Sequence, residues 1–220
     1  MAGKKNMDIK NLTLETELIT IRGKTLRLFR PAKLEEVFQG DPFLETEKFP
    51  LWLKLWEASI VLTDYLGSLP PGKEILELGA GLGVISLFAS AFGHRVLATD
   101  KEELPLKLLE KSAKENGLSL NIQKLDWLAP EISKKFDLVV GAEIIFKKSH
   151  FEPLINLFKS SLKPEGEVLL AHSAERKRIL IPFLHRAQEF FEIQTSIRKL
   201  RSQEETQEVI LNKLLPKREG

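Results

Sequence analysis

The feature that most constrains this chain is a glycine-rich turn placed directly after a short apolar run. The segment ILELGAGLGVISL, residues 75–87, carries Gly79, Gly81 and Gly83 and continues into a second apolar stretch. Glycine adopts positive φ freely and lets the backbone come close to a bound group. Amide groups at the start of a following helix face the same place. The segment therefore predicts a strand, a ligand-binding turn and a helix.

From residue 73 onwards, strand and helix periods alternate regularly. Strands are predicted over residues 74–78, 95–99, 120–126, 136–143 and 167–173. Helices are predicted over residues 83–92, 102–115, 150–162 and 175–188, and Ser149 with Glu152 indicates a capping box for the third helix. Two final apolar runs, 191–200 and 208–215, are joined by the polar turn RSQEETQ. The expected fold is α/β, a Rossmann-like doubly wound seven-stranded sheet that is mostly parallel, with a C-terminal antiparallel strand.

The part of the chain before this sheet has its own pattern. Residues 17–29 alternate around Arg22-Gly23-Lys24, which is typical of a β-hairpin. A proline-led apolar segment then predicts a helix over residues 53–67. We expect an N-terminal extension with a hairpin over residues 1–50, and a main domain over residues 51–220.

Composition excludes several classes of protein. The chain has 33 basic and 31 acidic residues, and its net charge of +2 does not favour binding to nucleic acid. The basic runs at 175–178 and 198–201 are more simply explained as solvated surface. The absence of cysteine excludes disulfides, thiolate zinc sites and a cysteine nucleophile. No residue spacing indicates a metal site, and no signal sequence or membrane-length apolar run is visible, so we expect a cytoplasmic protein, monomeric by default.

Polar residues at the predicted strand ends indicate which ligand the turn binds. Asp100 ends the second strand, 17 residues after Gly83, where its carboxylate can accept both hydroxyls of a ribose. Dinucleotide sites favour G-x-G-x-x-G, but here the third glycine comes one position early and Val84 stands in its place. Glu77 would repel a pyrophosphate but suits a ligand with an ammonium and a sulfonium group. S-adenosylmethionine is such a ligand.

Asp126 and Trp127 extend this candidate site at the end of the third predicted strand. The carboxylate of Asp126 can accept the adenine amino group, and the indole of Trp127 can lie on the ring. Two simpler explanations stay open. Asp126 can cap a turn instead, and Trp127 can be ordinary core packing.

Five segments carry a resemblance to a known family: LWEAS (55–59), LELGAGLGVISL (76–87), ATDKEE (98–103), LDW (125–127) and GAEIIF (141–146). Residues 52–215 resemble the seven-strand, class I S-adenosylmethionine-dependent methyltransferases. Within them the chain is most similar to methyltransferase family sixteen, which contains many protein-lysine methyltransferases. The resemblance implies that Trp56 lies along the cofactor, with Ala142 beside it, and that Glu143 and Phe146 shape the methyl-acceptor site.

Glu143 and Phe146 follow the buried strand 136–143, so their chemistry can also be considered directly. A carboxylate can orient an incoming amine and stabilise the positive charge that grows on methylation. A phenyl ring can wall the acceptor channel and contact a charged amine. An outward-facing Glu143 without a partner is the alternative. No compelling dedicated base is found, although His150 and His172 are close enough in sequence to consider.

The sequence predicts a methyltransferase that acts on a lysine side chain of a protein substrate, with S-adenosylmethionine and no metal. Small-molecule amines or other nitrogen acceptors are the nearest alternatives, because loops change the acceptor without changing the fold. A non-catalytic module that only binds the cofactor is a third reading. A nicotinamide-dependent oxidoreductase is disfavoured, since position 84 lacks glycine and Glu77 would have no role.

Overall fold

The computed structural model describes residues 9–45, 48–201 and 206–217. Its strands are β1 (Leu14–Ile21), β2 (Lys24–Pro31), β3 (Glu74–Leu78), β4 (Arg95–Asp100), β5 (Asn121–Lys124), β6 (Phe136–Ala142), β7 (Leu162–Ser173), β8 (Phe191–Arg201) and β9 (Thr206–Pro216). Its α-helices are α1 (Glu57–Leu66), α2 (Val84–Ala91), α3 (Glu103–Glu115), α4 (Phe151–Ser161) and α5 (Lys177–Ala187). Over these described ranges, no helix is both long enough and apolar enough to cross a membrane.

Seven strands form one sheet in the order β5-β4-β3-β6-β7-β9-β8. Strands β3 to β7 pair in parallel, whereas β9 runs antiparallel to both of its neighbours, β7 and β8. The chain builds outward from β3 to β5 and then returns to place β6 on the other side of β3. The predicted fold class, a mostly parallel seven-stranded sheet with a C-terminal antiparallel strand, is confirmed.

Helices cover both faces of the sheet because its central strands bury side chains on both sides. Successive residues of a strand point to opposite faces, and four of the five residues of β3 are buried. Ile75 packs in one apolar cluster with Leu62 of α1. Leu76 packs in another cluster with Phe158 of α4 and Phe183 of α5. Such burial on two faces is typical of parallel strands in α/β proteins.

The N-terminal hairpin lies outside the main sheet and has a two-residue turn. Arg22 (φ 49°) and Gly23 (φ 76°) both have positive φ, as a type I′ turn requires. The predicted hairpin is therefore confirmed, with β1 and β2 paired antiparallel. Ile21 and Leu28 of the hairpin share an apolar cluster with Leu109 of α3.

Hydrogen bonds also join β2 to the end of α3. The Asn116 side chain accepts the Arg27 N–H at 2.9 Å and donates to the Arg27 carbonyl at 2.7 Å. The Phe29 N–H donates to the Ser112 hydroxyl at 3.0 Å. The hairpin is thus bound to the helical layer by polar as well as apolar contacts, while the division of the chain at residue 50 stays a prediction.

The first helix begins later than the sequence predicts. Residues Leu51–Leu53 form a 3-10 turn, Lys54 and Trp56 are extended, and α1 starts at Glu57 instead of residue 53. The difference has a structural consequence, because the 3-10 turn places Trp52 against the glycine-rich turn.

Two further local predictions differ from the structure. The capping box predicted at Ser149 is wrong, because Ser149 lies inside a 3-10 turn (Lys148–His150) and the N-cap of α4, His150, makes no side-chain capping bond. Strand β5 is limited to four residues, so it ends before Asp126. Residues 202–205 of the predicted turn between the last two strands lie outside the described residues.

Candidate functional site

Glycine or polar residues stand at the carboxyl ends of five neighbouring parallel strands, β3 to β7. Because parallel strands end at the same edge of a sheet, these residues meet there. They are Glu77 and Gly79 at the end of β3, Asp100 in β4, Asp126 after β5, Glu143 directly after Ala142, which is the last residue of β6, and Ser173 in β7. The strand order reverses between β3 and β6, which is where ligands bind in open α/β sheets.

The glycine-rich turn, residues 79–83, needs glycine for backbone and packing reasons together. Gly79, Gly81 and Gly83 have φ values of 67°, 53° and 82°, a region that other residues adopt only at a cost. A Cβ atom on Gly79 would lie 3.1 Å from Ile144 Cγ2, and one on Gly83 would overlap the Leu109 side chain. The turn is therefore compact, and of its three glycines only Gly79 is partly exposed.

Trp52 is a neighbour of this turn that the sequence did not reveal. A Cβ atom on Gly81 would lie 3.4 Å from the Trp52 carbonyl oxygen and 3.5 Å from Trp52 Cβ. The signal was hidden because the segment LWLKLW has helical spacing, whereas the chain turns there and continues extended to α1.

Glu77 is a buried acid directly below the glycine-rich turn. It is 1% exposed, and the Ser86 hydroxyl of α2 donates to its Oε2. Burial raises the pKa of Glu77 to about 8, since a charged carboxylate is disfavoured away from water. The Thr99 hydroxyl donates to the Glu77 carbonyl at 2.6 Å and fixes the strand end. A cationic group placed beside Glu77 would favour its ionised form.

Asp100 connects the end of β4 to the glycine-rich turn. Its Oδ2 accepts the Gly81 N–H at 2.9 Å, and its Oδ1 accepts the Glu102 N–H at 3.0 Å. Burial raises the pKa of Asp100 above its usual range, and the two backbone N–H groups oppose that effect. Each carboxylate oxygen has more than one lone pair, so Asp100 can accept ligand hydroxyls while it holds the turn.

Asp126 and Trp127 lie just beyond β5, which ends at Lys124, so Asp126 is not inside the strand as the sequence predicts. Asp126 is exposed, and its Oδ1 accepts the Leu128 N–H at 2.9 Å, which is the turn-capping geometry of the simpler explanation. Trp127 packs against the core below the sheet edge. Its ring would also lie 3.6 Å from a Cβ on Gly79. The structure thus brings Trp127 next to the glycine-rich turn as well as into the core.

Three aromatic side chains meet beside this point. The ring of Phe146 lies 6.2 Å from Trp127 and 4.9 Å from His150, and the Trp127 and His150 rings are 5.5 Å apart, all edge to face. Burial, helped by Lys147 and Lys101, lowers the pKa of His150. The imidazole is therefore neutral at pH 7. The structure brings Phe146 and Trp127 together as one aromatic wall.

Glu143 follows β6 in a strained backbone conformation. Its φ is 57°, which is uncommon for a residue other than glycine, and its N–H donates to the Ala171 carbonyl at 2.9 Å. The side chain is 5% exposed, and Oε1 accepts the Ser173 N–H at 2.6 Å. Burial raises the pKa of Glu143, whereas Ser173 and Arg176 oppose the rise. The alternative of an outward charge without a partner is therefore wrong.

Arg176 is the second residue that the sequence interpretation missed. Its Nε lies 3.3 Å from Glu143 Oε2, and its guanidinium carbon lies 5.7 Å from the centre of the Trp56 ring. Lys54 Nζ lies 4.4 Å from the same ring. Arg176 belongs to the basic run 175–178, which the sequence suggested to be solvated surface, but its place three residues after a strand end at this edge was the usable signal.

His172 has a structural place in this part of the site. It is completely buried, and its Nε2 accepts the Ile145 N–H at 3.2 Å. Burial, with Arg176 nearby, lowers the pKa of His172 to about 3. The neutral ring therefore holds the loop after β6, which carries Phe146.

These residues fit S-adenosylmethionine by their chemistry. The turn has three glycines at which a larger residue is disfavoured, because each has a positive φ and close neighbours around the Cβ position. A carboxylate stands where a ribose needs an acceptor, and a buried acid stands beneath the turn where a cationic group would favour its ionisation. A ligand with a ribose and a cationic amino-acid part matches this set of groups.

Comparisons with known proteins agree with this reading. The family model described as lysine methyltransferase matches residues 45–193. EEF1A lysine methyltransferase 3 of Mus musculus is 29% identical over 196 residues, which cover 78% of this chain and 83% of that protein. The histone-arginine methyltransferase METTL23 of Mus musculus is 31% identical over 114 residues, which cover 46% of this chain and 44% of that protein.

A solved structure shows the same architecture. The TehB-like SAM-dependent methyltransferase of Corynebacterium glutamicum matches with a TM-score of 0.57 and 21% identity, over 74% of this chain and 89% of that one. The protein described here is a class I S-adenosylmethionine-dependent methyltransferase. More narrowly, the chain belongs to the lysine methyltransferase family, whose model covers more than half of its length.

Proposed function

We propose that this enzyme methylates a lysine side chain of a protein substrate, and that Glu143 receives the acceptor amine. The observation that carries the proposal is a buried carboxylate at the end of β6, on the same edge of the sheet as the glycine-rich turn and paired with Arg176, whose guanidinium faces Trp56. Membership of the lysine methyltransferase family and the similarity to EEF1A lysine methyltransferase 3 support a protein lysine as acceptor.

In this proposal the cofactor is held by residues at the ends of β3, β4 and β5. The glycine-rich turn faces its amino-acid part, Glu77 accepts its ammonium group, and Asp100 accepts the ribose hydroxyls. Asp126 and Trp127 bind the adenine, while Trp56 and Ala142 border the side towards the acceptor. S-adenosylmethionine would supply a methyl group already activated on a sulfonium and would leave as S-adenosylhomocysteine, so the protein mainly aligns the acceptor for in-line displacement and excludes water.

The segments that follow β6 and β7, at the same edge of the sheet, hold the acceptor amine. Glu143 Oε2 has no hydrogen bond from the described residues and is buried, so it is available to an N–H donor. The amine must lose a proton before it can react, and a dry site surrounded by cations lowers an amine pKa. Lys54 and Arg176 supply such cations near Glu143. Phe146 walls the approach together with Trp127.

Methyl transfer into a cell lysate tests this function. The lysate is heat-treated to inactivate its own enzymes and then incubated with the protein and S-adenosylmethionine carrying a tritiated methyl group. Half of the lysate is digested with protease beforehand. We expect label in a discrete protein band that the digestion removes, and methyllysine after acid hydrolysis. Label only in the small-molecule fraction would support a small amine as acceptor, and binding without any transfer would support a binding module.

Four further parts of the proposal rest on the composition and spacing of the sequence: a cytoplasmic location, a monomer, no role for nucleic acid, and a reaction without a metal. Cell fractionation and sedimentation of the purified protein test the first two. Addition of nuclease or of a chelator to the lysate assay tests the others. We expect neither addition to reduce the label in protein.

A further inference from the structure

The carboxylate of Glu143 has only one oxygen left for an acceptor. Its Oε1 is committed to the Ser173 N–H at 2.6 Å. Its Oε2 accepts no hydrogen bond from the described residues but faces Arg176 Nε at 3.3 Å. The side chain is 5% exposed and its Oε1 is held by the Ser173 N–H, so it does not offer both oxygens to an acceptor.

Lysine and arginine make different demands on such a carboxylate. A guanidinium is planar and binds a carboxylate best through two parallel N–H bonds to both oxygens. A lysine amine is a compact group whose donors rotate and which needs only one oxygen. A carboxylate with a single available oxygen therefore suits lysine and binds arginine poorly.

Arg176 also occupies the flat surface that an arginine acceptor would use. Its guanidinium lies 5.7 Å from the centre of the Trp56 ring and keeps a third of the side chain exposed. Guanidinium groups stack on aromatic faces, so this ring already has a resident guanidinium. Lys54 is a second cation over the same ring. A further guanidinium would meet two like charges near this ring.

We propose that Arg176 makes the acceptor site selective for lysine over arginine, because its positive charge lies beside Glu143 Oε2 and its guanidinium faces Trp56, where a substrate guanidinium would otherwise bind. The inference rests on the proposed function, because it takes Glu143 as the residue that receives the amine. It concerns a selection among related acceptors, since a similar protein bears the name histone-arginine methyltransferase. Arg176 acts as a specificity-determining and positioning residue, because it acts through Glu143 and Trp56.

The test measures which amino acid receives the methyl group. Wild type and Arg176→Met are incubated with heat-treated lysate protein and S-adenosylmethionine carrying a tritiated methyl group. Acid hydrolysis and chromatography then separate methyllysine from methylarginine. We expect nearly all wild-type label in methyllysine, and a rise of about tenfold in the methylarginine share for Arg176→Met, because one charge-assisted contact becomes available to the substrate. A folding defect would lower both products equally and leave the share unchanged.

Two variants provide the controls. Arg178→Met removes an exposed arginine on the first turn of α5, and its methylarginine share should equal that of wild type. Arg176→Lys keeps the charge but loses the planar group, and its share should rise less than that of Arg176→Met.

The outcomes separate the inference from the function beneath it. Wild-type label in methyllysine supports the proposed function whatever the variants do. An unchanged methylarginine share in an active Arg176→Met variant overturns the inference alone. Loss of all label in both variants overturns it too, since Arg176 would then be required for transfer and not for selection. Absence of wild-type label in any amino acid overturns the proposed function and the inference together.

Discussion

The carboxyl ends of β3 and β4 form one half of the site, and those of β6 and β7 form the other; the two halves owe their geometry to different parts of the chain. At the ends of β3 and β4, the backbone sets the geometry: three glycines with positive φ and two N–H groups that donate to Asp100. At the ends of β6 and β7, charged and aromatic side chains set it: Glu143, Arg176 and Trp56. A site made by backbone can be reused with any acceptor, whereas a site made by side chains changes with each substitution. The difference explains how one fold serves many methyl acceptors.

The largest effect that would sharpen this comparison is expected at Gly83. Alanine there would overlap the buried Leu109 and keep a positive φ, so the free energy of unfolding should fall by about 3 kcal/mol. Chemical denaturation measures it. Gly23→Ala is the matched control, with positive φ but no atom within 4 Å of the new Cβ, and it should cost only about 1 kcal/mol. Equal losses in the two variants would show that packing against α3 is not what demands glycine.

The next effect is expected on cofactor binding. Asp100→Ala removes the acceptor for the ribose and for the Gly81 N–H, and affinity for S-adenosylmethionine should fall about thirtyfold to a hundredfold, or ~2–3 kcal/mol. Isothermal calorimetry measures it. Asp126→Asn should reduce affinity only a few-fold, because Asp126 is exposed. Unchanged affinity in Asp100→Ala would make Asp100 a turn residue only.

At the ends of β6 and β7, a substitution should lower turnover but leave the affinity for S-adenosylmethionine nearly unchanged. Glu143→Gln keeps the size of the side chain but removes the charge that stabilises the amine, and kcat should fall at least tenfold, which is about 1.4 kcal/mol or more. Calorimetry should show nearly unchanged affinity for S-adenosylmethionine. Glu175→Gln, an exposed acid in the same segment as Arg176, serves as the control. Normal turnover in Glu143→Gln would remove Glu143 from the reaction.

The smallest effect tests the protonation of Glu77. Its pKa of about 8 in the free protein leaves it mostly protonated at pH 7, and a bound ammonium should ionise it. Binding at pH 7 should therefore release close to one proton, which calorimetry in buffers of different ionisation enthalpy detects. Glu77→Gln should release none. Proton release that persists in the variant would assign it to another group.

The same group has a consequence for stability with a defined sign. Its folded pKa lies above the ordinary value of 4.5, so the folded state binds the proton more tightly than the unfolded state. The contribution of Glu77 to stability is present below pH 4.5 and is lost as the pH rises towards 8. Glu77→Gln should flatten this decline, and thermal melts at pH 5 and pH 9 compare the two proteins.

The fold and the glycine-rich turn could be predicted from the sequence, because both depend on local patterns. Alternating periods specify parallel strands, Glu77 stands next to the turn in sequence, and Asp100 ends the next strand along the chain. The acceptor half depends on Trp56, Glu143 and Arg176, which are far apart in sequence and meet only through the sheet order. Helical spacing concealed Trp52 for a related reason, since a 3-10 turn and a few extended residues replace the first helical turn there.

The contacts between the N-terminal hairpin and α3 also constrain the order in which the chain can fold. The Phe29 N–H donates to Ser112, which lies 83 residues later in the chain. The Arg27 N–H donates to Asn116, which lies 89 residues later. Chains fold progressively as they leave the ribosome, and an isolated two-stranded hairpin is at best marginally stable. The contacts of β1 and β2 with α3 must therefore wait until the end of α3 has emerged. The hairpin is synthesised before the helix that holds it, so its stability depends on a later part of the chain.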